Sequence, residues 1–388
     1  MPELLQQQRE LFNLPEGLHY LNGAYMSPLL KSVEAAGISG MIRKRNPASI
    51  DPLDFFSEAE LLKTEFGKLI NASAEQVAII PSASYGLNTA ISNLPNDNGN
   101  EALILSAEFP SAYYALERWC RENNKRLKIV SAPDVDAHRG KLWNQLLLES
   151  ITDDTAVVVL SSVHWTDGTI FDLTEIGKKC KAHGARFIVD GTQSVGALPI
   201  DVITDQIDAL ICSGYKWLLG PYSLGMAYFH PCFNNGKPIE ESWMNREDAH
   251  IFSGLTNYNE RYRAGANRFN VGQFSNFILV PMLTEAIRQI RAWEPAAIQQ
   301  YAEILTRPLT ELLKAQGFNL EEDRYRSKHL FGITLPAAYD AQNILDVLRQ
   351  EHIYVSKRGN ALRISAHVYN TPQDIDAMIK VLNEKVLK

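Results

Sequence analysis

The sequence predicts an α/β protein built around a largely parallel β-sheet. Short apolar runs alternate with helical patterns through the first two thirds of the chain. These runs are nearly continuous, which is typical of strands covered by helices on both faces. The predicted strands span 77–80, 102–105, 127–130, 157–160, 186–189, 210–213 and 224–229, and the helices between them span 85–92, 112–122, 141–150 and 173–183. Because ligands of such sheets bind where the strands end, we expect the functional site there.

The last third of the chain predicts a smaller α+β unit. It contains helical patterns at 281–293, 297–316, 341–351 and 372–387 and short strands at 332–335, 353–355 and 361–365. Two N-terminal helices, 27–45 and 55–70, are expected to pack with this unit. We therefore divide the chain into an N-terminal segment (1–26), a large domain (27–260) and a small C-terminal domain (261–388).

Composition and charge argue against several classes of protein. The 388 residues are 45% hydrophobic and 21% charged, as is usual for globular proteins. A net charge of -7 without a basic stripe argues against nucleic-acid binding, and no apolar run of about 18 residues predicts a membrane span. The first residues lack the apolar core of a signal peptide, and the four cysteines show no metal-binding or disulfide spacing. We expect a cytoplasmic protein without a bound metal.

A lysine in the stretch CSGYKWLLGP is the first candidate for chemistry. Lys216 follows a predicted strand and is flanked by aromatic and apolar residues. Lysine is rarely buried unless its charge is compensated. Burial disfavours the ammonium form, so a nucleophilic amine that forms Schiff bases with carbonyls becomes accessible near neutral pH. An isolated lysine more often extends its amine to water, so this feature indicates chemistry only in combination with others.

Three further stretches place polar groups where strands or helices end. In RFIVDGTQSVG, Asp190 ends a strand, where a carboxylate can pair with the pyridinium nitrogen of a cofactor or cap the next turn. In IIPSASYGLN, the hydroxyls of Ser82 and Ser84 precede a helix, at a position that binds phosphate or caps the helix. In ALRISAHVYNT, Arg363 could hold a carboxylate through paired hydrogen bonds or form a surface ion pair.

The combination resembles the fold-type I pyridoxal-phosphate (PLP) enzymes of the class V aminotransferase family, which includes cysteine desulfurases, kynureninases and isopenicillin N epimerases. The resemblance extends from YLNGAYMSP, similar to the family's N-terminal substrate loop, to LRISAHVYNT, similar to its carboxylate-binding segment. Its densest part is VDGTQSVGALPIDV followed by DALICSGYKWLLGPYSLGMAYF. It implies a large PLP-binding domain with a mostly parallel seven-stranded sheet and a smaller α+β C-terminal domain.

The resemblance implies a role for each matching residue. Lys216 would form the Schiff base with PLP and Asp190 would pair with the pyridine nitrogen, which makes these two the catalytic residues. The other cofactor contacts would be Gln193 at the phenolic oxygen, Phe109 on the ring face, Trp165 beside the ring, and Ala83, Ser84, Ser213 and Tyr215 at the phosphate. The substrate residues would be Arg363, at the α-carboxylate, with Asn22, Gly23 and Ala24 lining the pocket. Members are commonly homodimers, in which Gly272 and Gln273 would reach the partner's phosphate.

The reaction is less constrained than the cofactor. Removal of the substrate α-proton by the freed lysine amine can lead to transamination, β-elimination or C–S cleavage, kynureninase-like cleavage, or epimerisation. Desulfurases carry a persulfide-forming cysteine shortly before the substrate arginine, and the stretch YVSKRGNALRIS has none. They also usually have His at the positions of Phe109 and Tyr215 and Asn at that of Trp165. We expect transamination between an amino acid and a keto acid, and expect His164 to serve packing rather than catalysis.

Two other classes of protein remain as alternatives. Ser213 and Lys216 also form an S-x-x-K pattern, as in penicillin-binding enzymes, but that chemistry needs the serine at a helix start and a K-T-G strand, which the sequence lacks. A binding protein that has lost catalysis is the second alternative. The joint presence of Lys216, Asp190 and Arg363 argues against it.

Overall fold

The structure, a computed structural model, describes residues 4–135, 137–336, 338–359 and 361–387. Its main sheet contains seven strands: β2 (Val77–Ile80), β3 (Glu101–Leu105), β4 (Arg126–Val130), β5 (Thr155–Ser161), β6 (Arg186–Asp190), β7 (Ala209–Ser213) and β8 (Gly225–Phe229). Their order is β2-β8-β7-β6-β5-β3-β4, and every pairing except the two made by β8 is parallel. The predicted mostly parallel seven-stranded sheet is therefore confirmed, with differences only at strand ends.

Helices cover the sheet on both faces, which explains why its strands are apolar without alternation. The helices are α1 (Lys31–Arg43), α2 (Asp54–Ile70), α3 (Ala83–Ser92), α4 (Pro110–Glu122), α5 (Arg139–Ser150), α6 (Leu173–Ala182), α7 (Leu279–Trp293), α8 (Pro295–Ala315), α9 (Ala341–Gln350) and α10 (Pro372–Val381). In β5, Val159 faces a core built with α3 and α4, whereas Val158 and Leu160 face a core built with α2, α5, α6 and α7. All seven β5 residues are buried.

The C-terminal unit has its own small sheet and core. Strands β11 (Ser356–Arg358), β12 (Ala361–Ser365) and β9 (Leu330–Thr334) form an antiparallel sheet in that order. Side chains of α8, α9 and α10 pack with it in a separate apolar core. The fold class predicted from the sequence, a mostly parallel sheet with a smaller α+β unit, is thus observed.

The N-terminal segment pairs with this C-terminal unit. Strand β1 (His19–Tyr20) runs parallel to β10 (Ile353–Tyr354), and α1 and α2 pack against α7. The division at residues 26 and 260 stays a prediction. Among the residues described, none of the helices combines the length and apolarity needed to cross a bilayer.

Two predicted helix bounds were wrong. The helix predicted from residue 27 begins at Lys31, because the main-chain N–H of Ser27 donates to the carbonyl of Tyr215 (3.2 Å) and Leu30 forms a bridge with Phe12, which keeps this stretch extended. The helix predicted over 372–387 is α-helical only to Val381 and continues as a π-helical turn, Leu382–Val386.

Candidate active site

Three chain segments converge at the carboxyl edge of the main sheet. β6 ends at Asp190 and the adjacent parallel strand β7 ends at Ser213, just before Lys216. β2 ends immediately before α3 and runs in the same direction as β7, because the antiparallel strand β8 lies between them. Parallel strands place their carboxyl ends at one edge, so Asp190, Lys216 and the start of α3 share the position where ligands of such folds bind.

Lys216 is a buried amine without a counter-charge in contact. The residue is only 7% exposed, and among the described residues its amine makes no hydrogen bond and no ion pair. Its Nζ lies 5.8 Å from the ring centre of Phe109 and 5.6 Å from that of Tyr215. Burial lowers the pKa of Lys216 to about 8; the charge of Asp190 acts in the opposite direction and that of Arg363 adds to the lowering. A substantial fraction of this amine is therefore neutral at physiological pH.

Asp190 is a buried carboxyl group held by its own turn. One of its oxygens accepts a hydrogen bond from the main-chain N–H of Thr192 (2.9 Å). Burial raises the pKa of Asp190, the Thr192 hydrogen bonds oppose this change, and the nearby Glu108 carboxylate raises the pKa further. A group with a raised pKa at this position can share a proton with a basic nitrogen of a ligand.

The structure brings in one acid that sequence reasoning missed. Glu108 is 7% exposed, and its carboxylate accepts hydrogen bonds from the main-chain N–H of Phe109 (2.9 Å), the N–H of Ser161 (2.8 Å) and the Ser161 hydroxyl. It therefore fixes the start of α4, where Phe109 projects toward Lys216. Its position next to Phe109 in SAEFPSAYY was the available signal, but its partner Ser161 lies on a distant part of the chain.

Gln193 joins the sheet edge to the N-terminal segment. Its Nε2 donates to the carbonyl of Ala24 (3.2 Å), and its Oε1 accepts from the indole N–H of Trp217 (2.9 Å). Its main-chain carbonyl also contacts Nε2 of His329 (2.7 Å). These bonds bring Gln193 and Ala24, predicted to bind the cofactor and the substrate respectively, to one place.

The start of α3 combines a helix N-terminus with serine hydroxyls, which is a common arrangement for binding an anion. The Ser82 hydroxyl caps the helix by accepting from the N–H of Tyr85 (3.2 Å) and lies 3.0 Å from the Ser84 hydroxyl. Ala83 is half-buried, Ser84 is exposed, and Ser213 is buried at the end of β7. Free N–H groups of the first helical turn, beside hydroxyl groups, suit a phosphate.

Arg363 is a buried guanidinium with unused donors. It is 1% exposed; its Nε donates to the Ser356 hydroxyl (3.1 Å) and its Nη1 to the carbonyl of Trp165 (2.7 Å). Its Nη2 has no hydrogen-bond partner within the described part of the chain. Burial lowers the pKa of Arg363 to about 9, and the charge of Arg358 lowers it further. Such a group favours an anionic ligand.

The substrate-pocket segment is held against β12. Asn22 forms a bridge with Ser365, and the N–H of Ala24 donates to the Ser365 hydroxyl (3.0 Å). A Cβ atom at Gly23 would lie 2.7 Å from the hydroxyl oxygen of Tyr369, which explains the glycine. The segment Asn22, Gly23 and Ala24 is therefore held against β12, the strand that carries Arg363.

Trp165 contacts Phe109 of the candidate site, whereas the neighbouring His164 packs in the interior. The Trp165 ring meets Phe109 edge to face (5.5 Å, 88°), and its N–H donates to the carbonyl of Ala107 (2.7 Å). His164 is buried against Trp143 (4.9 Å), with ring nitrogens 3.2 Å from the carbonyl of Ser106 and 2.8 Å from the Thr166 hydroxyl. Both ring nitrogens of His164 are thus occupied.

Gly272 and Gln273 lie on a segment that Glu240 links to the first turn of α3. Gln273 is exposed, and the N–H of Gly272 donates to the carboxylate of Glu240, which also accepts from the hydroxyl of Tyr85 in α3 (3.3 Å). Their contact with a partner subunit, and the homodimer itself, stay predictions.

These residues fit pyridoxal phosphate. The buried amine of Lys216 has no partner, the Phe109 ring offers a face at the same place, and the Asp190 carboxyl group, the start of α3 and the Nη2 of Arg363 provide complementary polar groups. Fold and site together define an enzyme of the PLP-dependent fold-type I class.

Comparison of the sequence with known proteins assigns the family. A family model described as Aminotransferase class-V matches residues 53–378. The chain belongs to the class V aminotransferase family and is a PLP-dependent enzyme that acts on an amino acid. It is 24% identical over its full length to the uncharacterized aminotransferase YcbU of Bacillus subtilis, whose whole length is covered. It is 26% identical over 341 residues to a probable cysteine desulfurase of Pyrococcus abyssi, with 82% of this chain and 80% of that protein covered.

Solved structures share the fold. The apo cysteine desulfurase of Thermococcus onnurineus superposes with a TM-score of 0.84 at 20% identity, covering 98% of each chain. The cystine C–S lyase C-DES, in complex with its product cysteine persulfide, gives 0.83 at 17% identity, covering 94% of this chain and 97% of that one. A C-DES mutant carries glycine covalently linked to its PLP cofactor. The fold-type I class expected from the sequence is confirmed.

Proposed function

We propose that this enzyme is a transaminase, which moves the amino group of an amino acid to a keto acid with PLP attached to Lys216. The observation that carries the proposal is the buried, unpartnered amine of Lys216 at the end of β7, beside Asp190 at the end of β6. Membership of the class V aminotransferase family supports it. PLP, when bound, supplies an electron-accepting ring that stabilises negative charge at the substrate α-carbon.

Each residue of the site has a proposed task in holding the cofactor. Asp190, anchored by Thr192, would accept a hydrogen bond from the protonated ring nitrogen, and Gln193, held by Ala24, would donate to the phenolic oxygen. Phe109, fixed by Glu108, would cover the ring face, and Trp165 contacts Phe109 edge to face. Main-chain N–H groups of Ala83 and Ser84 would hold the phosphate, with Ser213 and Tyr215.

Substrate placement and proton transfer fall to the remaining residues. Arg363, oriented by Ser356 and the carbonyl of Trp165, holds the α-carboxylate, and the segment Asn22, Gly23 and Ala24 closes the pocket. The amine of Lys216, with its pKa lowered to about 8, can accept the substrate α-proton at its Nζ and later donate it again. The products distinguish the reactions: transamination yields an aminated acceptor, and elimination releases the β-substituent.

The cysteines argue against a desulfurase that forms a persulfide on its own thiol. Cys120, Cys180 and Cys212 are buried, and burial raises the pKa of Cys120 to about 11 and that of Cys180 to about 12. Cys232 is exposed but follows β8, at the sheet edge opposite to Lys216. The β11–β12 connection spans only residues 359–360, so the described strands leave no long loop before Arg363.

C–S lyase or other β-elimination chemistry is the alternative, because it needs the same cofactor contacts and no protein thiol. The S-x-x-K hydrolase alternative lacks its structural context, since Ser213 ends strand β7 and is followed by a turn. Kynureninase-like cleavage and epimerisation would show different products in the same assay.

A product assay with the holoenzyme tests the proposal. A panel of amino acids, with and without a β-leaving group, is supplied with a keto acid, and we expect keto-acid product in amounts equal to the aminated acceptor. Sulfide or ammonia with pyruvate would instead identify elimination. Lys216→Ala should abolish both turnover and borohydride fixation of PLP, whereas Lys314→Ala, at an exposed position of α8, should retain both. Fixation of the cofactor at another lysine would refute the assignment.

A further inference from the structure

A second arginine, Arg358, lies beside Arg363 in the site. The β11–β12 register pairs Ser356 with Arg363 and Arg358 with Ala361. Directly paired residues, and residues two apart on one strand, project from the same face of a sheet. Both guanidinium groups therefore extend from one face of the hairpin. They meet the same residue: Arg363 donates to the carbonyl of Trp165, and the Cζ atom of Arg358 lies 5.4 Å above the Trp165 ring.

Arg358 has no counter-charge in contact. The guanidinium is half-buried, its Nη1 donates to the carbonyl of Lys357 (2.7 Å), and its buried Nε has no hydrogen-bond partner among the described residues. No carboxylate of the described residues lies within 4.0 Å of it. Burial lowers the pKa of Arg358, and the exposed Tyr25 acts in the opposite direction. Two neighbouring cations without an acid make this corner of the site selective for anions.

The acids that share a cleft with Arg358 already have other partners. Arg358 itself lines this cleft, together with Asp167, Glu321 and Glu322. Asp167 pairs with Arg139 (3.0 Å), Glu321 accepts from the N–H of Gly140 (2.8 Å), and Glu322 pairs with His138. An internal ion pair therefore does not account for Arg358.

Arg358 shares the space of the reacting groups. Two aromatic rings lie between it and Lys216. The Cζ atom of Arg358 is 5.4 Å from the ring centre of Trp165, the ring centres of Trp165 and Phe109 are 5.5 Å apart, and Nζ of Lys216 is 5.8 Å from the ring centre of Phe109. Its charge is also one of the two that lower the pKa of Lys216. Under the proposed function one α-carboxylate occupies Arg363 and the phosphate occupies the start of α3, which leaves Arg358 without a ligand.

We propose that Arg358 is a specificity-determining residue that binds the side-chain carboxylate of a dicarboxylic amino acid, aspartate or glutamate, while Arg363 holds its α-carboxylate. This inference rests on the proposed function and names its substrate class. A carboxylate at Arg358 receives charge-assisted hydrogen bonds from the unused guanidinium donors. The side-chain amide of asparagine or glutamine is uncharged and cannot neutralise the Arg358 guanidinium. These two amino acids should therefore bind more weakly than aspartate and glutamate.

Binding measurements with the holoenzyme test this assignment. Dissociation constants for aspartate, asparagine, glutamate, glutamine and alanine are measured by calorimetry and by the change in cofactor absorbance. We expect the acids to bind about 10- to 100-fold more tightly than their amides, the range for a hydrogen bond to a charged group. Arg358→Met, which keeps a long apolar side chain over Trp165, should remove this preference, so that each acid and its amide bind alike.

Matched variants separate local from general effects. Lys357→Met removes the same charge from the same strand but from the opposite face of the hairpin, and should keep the preference for acids. Arg358→Lys should keep part of it, and Arg363→Lys should weaken binding of acids and amides alike. Equal binding of aspartate and asparagine, or a preference that survives Arg358→Met, overturns the role of Arg358 even while alanine still perturbs the cofactor spectrum. Failure of PLP to attach to Lys216 would overturn the proposed function as well.

Discussion

At the scale of single residues, the described part of the chain contains two buried lysines, and their surroundings differ. Lys63 is fully buried but contacts Glu60 (2.9 Å) and donates to the amide oxygen of Asn267 (2.6 Å). Lys216 is buried to a similar degree without either kind of partner. A buried charge is tolerated when it is paired, so Lys63 is structural and Lys216 is available for chemistry.

The lowered pKa of Lys216 predicts how cofactor attachment depends on pH. Only the neutral amine attacks the PLP aldehyde, and the pKa is lowered to about 8 mainly by burial. The attachment rate of the apoprotein should therefore rise with pH up to about 8 and level off above it. Stopped-flow absorbance between about pH 6.5 and pH 10 measures this, with Nα-acetyl-lysine, whose pKa is about 10.4, as the control. A rate that keeps rising to pH 10, like that of the control, would contradict the lowered pKa.

Sequence motifs indicated the candidate residues that follow strands but missed candidates whose position depends on contact between distant segments. Asp190 and Lys216 each follow an apolar strand, so their common edge could be inferred from the parallel sheet. Glu108 and Arg358 carry no such signal, because the burial of Glu108 depends on Ser161 and the position of Arg358 depends on Trp165. Hydrogen-bond partners and missing counter-ions are properties of the folded chain.

At the scale of elements, helix α1 packs closely against the residues that precede α7, and Gly40 lies at the point of contact. A Cβ atom at Gly40 would lie 2.1 Å from the carbonyl oxygen of Phe277, a backbone atom that cannot move alone. At Gly37, three residues earlier on the same helix, a Cβ atom would meet only the side chain of Met282, at 2.7 Å. The α1–α7 contact is therefore rigid at Gly40 and adaptable at Gly37.

The glycine pair supports a matched prediction of stability. Alanine gains about 1 kcal/mol of helix propensity over glycine at either position, so the difference between the two variants reports the packing. We expect Gly40→Ala to reduce the free energy of unfolding by about 1–3 kcal/mol, as overpacking does, and Gly37→Ala to be nearly neutral. Urea unfolding followed by circular dichroism provides the measurement. If the two variants had the same free energy of unfolding, the α1–α7 contact could accommodate a methyl group at Gly40 without loss of stability.

At the scale of the whole molecule, the site is assembled from three parts of the chain. Gln193 at the sheet edge binds the carbonyl of Ala24, Ala24 binds Ser365 of β12, and Arg363 of the same strand binds the carbonyl of Trp165. The alternation of strands and helices predicted the layers that bring these parts near one another. It could not predict these bonds, because each joins residues separated by more than one hundred positions.

This assembly predicts that the cofactor stabilises the chain as a unit. A ligand that binds only the folded state adds about 2.7 kcal/mol to the free energy of unfolding at one hundred times its dissociation constant. Urea unfolding of the apoprotein with increasing PLP should therefore show one transition that moves to higher urea, because Gln193 of the cofactor site is bonded to Ala24 of the N-terminal segment, which is bonded to Ser365 of the C-terminal unit. Pyridoxal, which lacks the phosphate, should stabilise less at equal concentration, since it leaves the start of α3 without its anion. Equal stabilisation by the two compounds would contradict phosphate binding at the start of α3. If the C-terminal unit unfolded at an unchanged urea concentration, cofactor binding would not be coupled to the unit that carries Arg363.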